Sequence, residues 1–174
     1  AGDLDGDMDD DIADFACGDL YENMGCPGSP EWELVEDMFL SMSAMGCTGG
    51  HGTFGDVDAD GDLDLIYGCY ECCSFRMVRN VGTAQEAIWE YGGAIAGDPY
   101  AAYSAYPCLS DVDGDGDFDI IATSSAGAIG VFENVGTPVS PFWVWLELIP
   151  DIGFAASGGM LTLGDLDCDG DLDI

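Results

Sequence analysis

The chain is 174 residues long and carries 35 Asp and Glu against 2 Lys and Arg, a formal net charge of −33. So acidic a polypeptide repels nucleic acid and anionic membranes, which excludes both as partners. No stretch approaches the roughly 18 uninterrupted apolar residues of a membrane-spanning helix. Hydrophobic residues at 48% and aromatics at 11% are enough for a core, unlike the composition of disordered acidic chains. The charge must therefore be gathered into particular segments.

The first such segment is Gly2-Asp3-Leu4-Asp5-Gly6-Asp7-Met8-Asp9-Asp10-Asp11-Ile12, and it recurs from Gly55 to Leu65, Ser110 to Ile120 and Gly164 to Ile174. The aspartate runs start at 3, 56, 111 and 165, in steps of 53, 55 and 54 residues. Other landmarks keep the same phase. Asn23 and Trp32 follow the first run. Thr53-Phe54 leads into the second, followed by apolar runs at Leu63–Tyr67 and Met77–Arg79, then Asn80-Val81-Gly82-Thr83 and Trp89. Cys108-Leu109 leads into the third, followed by Ile120–Thr123, a Ser/Gly turn, Ile129–Phe132, Asn134-Val135-Gly136-Thr137 and Trp143. Leu161-Thr162-Leu163 leads into the last.

Short apolar runs bounded by turn residues predict strands in hairpins, and about four per repeat is the make-up of a propeller blade. The expected fold is all-β: tandem antiparallel β-propeller-type blades, three repeats of about 54 residues plus the start of a fourth. Their boundaries are 1–55, 56–110, 111–164 and 165–174, the last being the loop that opens repeat four. Three repeats and a fraction predict blades open rather than closed in cis, either as an excerpt of a longer repeat array or as the repeating unit of a fibre completed by head-to-tail self-association. The recurring tryptophans are expected between neighbouring blades.

Alternate aspartates let a chain curl round one point with its oxygens facing inward, and Ca²⁺ takes 6–8 such oxygens. The candidate metal ligands are Asp3, Asp5, Asp7, Asp9 and Asp11; Asp56, Asp58, Asp60, Asp62 and Asp64; Asp111, Asp113, Asp115, Asp117 and Asp119; and Asp165, Asp167, Asp169, Asp171 and Asp173. Asp117, seventh in its loop, is expected to offer its backbone carbonyl. Like charges so close splay or take up protons without a cation. Oxygen-only ligation favours Ca²⁺ or Mg²⁺ over softer metals, and the reluctance of Mg²⁺ to dehydrate favours Ca²⁺. Gly61, Gly116 and Gly170 stand at the sharp turn, whereas the first loop has Met8, so that site is expected to be strained. An EF-hand is excluded: its twelfth-position Glu is replaced by Asp14, Tyr67 and Ala122.

Eight cysteines (Cys17, Cys26, Cys47, Cys69, Cys72, Cys73, Cys108 and Cys168) suggest disulfides and an oxidising compartment, with 105 possible pairings. His51, among glycines, reads as a loop residue.

The Asp-x-Asp-x-Asp-Gly-Asp-x-Asp loops and the hairpin leading to Asn-Val-Gly-Thr and a tryptophan segment resemble the FG-GAP/VCBS repeat family, of integrin α-subunit-like propellers and secreted microbial proteins. The resemblance implies antiparallel blades, Ca²⁺ between the first two strands and an extracellular or cell-surface setting. Adhesion or surface structure without enzymatic activity is the expected function. The alternative is a carbohydrate- or ligand-binding propeller using Tyr100, Tyr103, Tyr106 or Trp145 as a sugar platform. Outside the loops no nucleophile motif or Ser/His/Asp set occurs, so no catalytic residue is expected.

Overall fold

The computed structural model describes residues 2–15, 19–26, 28–35, 50–69, 74–95, 106–123, 129–149 and 163–164, with the backbone alone at 69 and 147–149. The strands are β1 (Ile12–Asp14), β2 (Asp19–Asn23), β3 (Trp32–Val35), β4 (Gly50–Gly55), β5 (Asp64–Cys69), β6 (Ser74–Asn80), β7 (Trp89–Ile95), β8 (Tyr106–Ser110), β9 (Asp119–Thr123), β10 (Ile129–Asn134) and β11 (Trp143–Ile149). They form three antiparallel sheets in chain order, β1-β2-β3, β4 to β7 and β8 to β11, none closed into a barrel. No helix occurs among the described residues, and so none long and apolar enough to cross a membrane. The fold is all-β, with the open blades that the repeat predicts.

Each four-stranded sheet opens on its lead-in strand, so the aspartate loop joins the first strand to the second. Gly55 pairs with Asp64 and Ser110 with Asp119 at the two ends of that loop. Gly2 bridges Asp11 in the same way.

The sheets stack face to face, and the second is buried on both sides. Leu65 and Tyr67 of β5 turn towards the first sheet, where they meet Leu4, Leu20 and Val78. Ile66 turns the other way and joins Phe75, Met77, Ile120, Phe132 and Trp143 between the second and third sheets. Successive residues of a strand point to opposite faces. When both faces are covered, an unbroken apolar run replaces alternation, as at Leu65-Ile66-Tyr67. Phe75 meets Phe132 edge-on at 5.3 Å, a favourable aromatic geometry. A β-bulge falls at Met77/Val78 and again at the equivalent Val131/Phe132, so even the irregularity repeats.

Trp143 is buried between sheets with its indole N–H donating to the Phe118 carbonyl at 2.8 Å, and Trp89 leans on the other inter-sheet cluster. Their counterpart Trp32 is 46% exposed, because no sheet among the described residues covers that face of the first one. His51 lies in β4 rather than in a loop, stacked on Tyr106 at 3.9 Å. Trp145 packs edge-on against Phe132 at 5.1 Å. Two of the four aromatics considered for sugar stacking are thus engaged within the protein, and Tyr100 and Tyr103 lie outside the described residues. Cys26 and Cys108 are free thiols, so neither forms a disulfide; Cys17, Cys47, Cys72, Cys73 and Cys168 lie outside the described residues, and Cys69 is described by its backbone alone.

Candidate metal centre

Short-range hydrogen bonds coil the three described loops. In the third, Asp111 Oδ1 accepts the N–H groups of Gly114 and Asp115, and Asp111 Oδ2 accepts that of Gly116. Asp113 Oδ1 accepts from Asp115, and Asp115 Oδ1 from Asp117. Equivalent bonds run from Gly61 to Asp56 Oδ2 at 3.1 Å and from Met8 to Asp3 Oδ2 at 3.2 Å. Aspartate favours such local side-chain-to-backbone turns, so these bonds need no partner from outside the loop.

The coil needs left-handed backbone at two positions. The sixth residue has φ of 77° at Met8, 99° at Gly61 and 97° at Gly116; the fourth has 77° at Gly6, 58° at Ala59 and 79° at Gly114. Met8 therefore adopts a conformation disfavoured for a side chain by about 1–2 kcal/mol. The strain expected of the first loop is present. Met8→Gly is expected to stabilise the protein by about 1 kcal/mol, raising its melting temperature by about 3 °C. Thermal denaturation followed by circular dichroism reads this directly; an unchanged or lower midpoint contradicts it.

Carboxylate oxygens converge in each of the three described loops. One oxygen each from Asp3, Asp5 and Asp11 lie within 4.8 Å of one another, as do those of Asp56, Asp58 and Asp64, and of Asp111, Asp113 and Asp115. Asp7, Asp9, Asp60, Asp62, Asp117 and Asp119 stand in the same loops but outside these triads. Asp165, Asp167, Asp169, Asp171 and Asp173 lie outside the described residues. The second and third loops are neighbours: a cavity of about 240 Å³ between them has Asp56, Asp111 and Asp117 on its walls.

The ninth aspartate has a second task that spacing alone did not reveal. Asp64 Oδ2 accepts the Val57 N–H at 3.2 Å, while Oδ1 accepts the Asn80 N–H at 2.9 Å. Asp11 bonds Leu4 and Asn23 alike, and Asp119 bonds Val112 and Asn134. The asparagine passes the constraint on. Asn80 Oδ1 accepts from Gly82 and Ile88, Asn23 Oδ1 from Gly25 and Glu31, and Asn134 Oδ1 from Gly136 and Phe142. A Cβ at Gly25, Gly82 or Gly136 would collide with the carbonyl oxygen of Ser29, Glu86 or Ser140, so the Asn-x-Gly turn needs its glycine. The trace of this relay in the sequence is the Asn-x-Gly that recurs in phase with the ninth aspartate.

The electrostatics match the crowding. Burial, opposed by its two backbone hydrogen bonds, pushes the Asp64 carboxyl up to about 7, with Asp58 and Asp60 adding repulsion. Burial and then Asp60 push Asp62 up to about 6, and burial and then Asp115 do the same for Asp117. Asp5 is raised, chiefly by burial, and so is Asp119. Four buried oxygens, Asp3 Oδ1, Asp58 Oδ1, Asp62 Oδ1 and Asp117 Oδ1, have no hydrogen-bond partner. A buried carboxylate oxygen without a partner is costly unless a cation or a proton satisfies it. The donor set is oxygen only and so fits a hard divalent ion. Asp62 and Asp117 also turn their side chains inward, beyond the backbone carbonyl expected of the seventh position.

Stacked four-stranded antiparallel sheets, each opening on an acidic loop between its first two strands, define a β-propeller-type repeat module. Residues 111–174 match the family model described as an FG-GAP-like repeat, in line with the resemblance carried by the aspartate loops. No curated protein and no solved structure matches the chain.

Proposed function

We propose that this is a non-enzymatic, extracellular, calcium-binding repeat protein with a structural or adhesive role, each aspartate loop holding one Ca²⁺ ion. The four buried carboxylate oxygens without hydrogen-bond partners carry the reading, since each lies in a loop whose other oxygens already converge. The family resemblance adds calcium at this loop and an extracellular setting. Calcium titration of chelator-treated protein tests it. Four ions per chain are expected, one per loop; no binding at millimolar calcium refutes the reading.

The structural role rests on stacking. Ile12 and Trp32 are 43% and 46% exposed, whereas their counterparts Leu65 and Trp89, and Ile120 and Trp143, pack against the preceding sheet. The face of the first sheet that no other described sheet covers thus repeats the chemistry of two internal contacts, and a second copy of the chain, joined head to tail, is the occupant. Sedimentation should show concentration-dependent association that Trp32→Glu weakens at least tenfold, the effect of placing a charge in an apolar contact. A wild-type chain that stays monomeric at high concentration defeats the stacking role.

A further inference from the structure

The two basic residues of this chain, Arg76 and Arg79, both lie on β6, and they do different things. Arg76 donates from Nη1 to the Tyr91 hydroxyl at 2.7 Å and lies over that ring. Arg79 instead reaches the second aspartate loop, with Nη1 3.5 Å from Asp58 Oδ2. Asp58 belongs to the triad that would hold the ion in that loop, and its other oxygen is among those without a hydrogen-bond partner.

The position is fixed by the fold. Arg79 directly precedes Asn80, whose N–H is tied to Asp64 at the closing end of the loop. The same relay places Glu22 before Asn23 and Glu133 before Asn134. One structural position therefore carries Glu, Arg and Glu in the three described blades. In the first blade the side chain shares the field of its loop: the Glu22 carboxyl is raised by burial first, then by Asp5 and Asp11. Where the first loop has an acid beside it and the third has Glu133 at the same strand position, the second has a guanidinium already paired with one of its ligands.

Resting on the calcium reading above, we infer that the residue before the turn asparagine sets the cation affinity of its loop, and that Arg79 makes the second loop the weakest of the three. A guanidinium beside a divalent ion repels it. It also occupies a carboxylate that the ion needs. Even with nearly full solvent screening, one unit charge about 6 Å from a divalent ion changes affinity by roughly tenfold. In the metal-free protein the same guanidinium offsets part of the repulsion at Asp58, so its removal costs stability there. The loops then fill in sequence, the second after the first and third.

Calorimetric calcium titration of the full chain tests this, comparing wild type with Arg79→Gln, Arg79→Lys and Arg76→Gln. Wild type is expected to show one binding step about tenfold weaker than its neighbours. Arg79→Gln should tighten that step about tenfold, whereas Arg79→Lys and Arg76→Gln keep it weak. Melting in chelator adds a second readout: Arg79→Gln should lower the midpoint there and not in saturating calcium. An isotherm unchanged or weakened by Arg79→Gln overturns the inference while leaving calcium binding intact. An equal loss of melting temperature with and without calcium also overturns it, because Arg79 would then act only by packing. A wild-type protein that binds no calcium removes the calcium reading and this inference together.

Discussion

Withdrawing calcium at neutral pH is expected to lower the melting temperature by about 20 °C, with magnesium restoring little of the loss. An ion that binds only the folded chain stabilises it by about 2.7 kcal/mol per site at a hundred times its dissociation constant. Three described loops together reach about 8 kcal/mol, comparable with the 5–15 kcal/mol that separates most folded domains from their unfolded state. In a chain of this length each kcal/mol moves the midpoint by about 2–4 °C. The loss falls where the structure is least satisfied, on the converging oxygens of Asp56, Asp58 and Asp64 and their counterparts.

The same effect should shrink in acid. In the metal-free protein Asp64 is pushed up to about 7 and Asp62 and Asp117 to about 6, above the unfolded value of 3.8. Groups raised on folding contribute stability in full below the unfolded value, and that contribution is lost as pH rises through 6 to 7. Protons therefore stand in for the cation at pH 5 but not at pH 7.5. Scanning calorimetry with and without chelator at the two pH values measures both effects. Equal midpoints at pH 7.5 would remove the calcium-dependent stability on which the structural role depends.

Asp64→Ala is expected to destabilise the protein by about 3 kcal/mol even when no metal is present. Asp64 is fully buried, and its two oxygens satisfy the backbone N–H groups of Val57 and Asn80. Removing the carboxylate leaves both donors in the interior without partners, at about 1–3 kcal/mol each. It also frees the Asn-x-Gly turn from the loop. Asp60→Ala is the comparison, since Asp60 is exposed and outside the triad. In chelator Asp64→Ala should melt about 10 °C below wild type and Asp60→Ala close to it. If the two variants melt alike in chelator, the relay contributes nothing of its own and Asp64 acts only through the ion.

The sequence by itself determined the acidic loops, the repeat and the all-β class, because these are written in short-range spacing. Alternate aspartates curl locally, and an apolar run between turn residues, such as Ile120–Thr123, has few options other than a strand. The strained turn at Met8 was legible for the same reason, as one residue out of step with three glycines. What only the tertiary structure decided are relations between residues far apart in the chain. Asp64 and Asn80 meet because β5 and β6 pair in one register, and Arg79 meets Asp58 because that relay brings the end of β6 to the loop. His51 found Tyr106 because β4 and β8 of neighbouring blades lie side by side. The burial of Asp62 and Asp117 likewise depends on which surfaces close over the loop, and spacing along a chain carries no information about that.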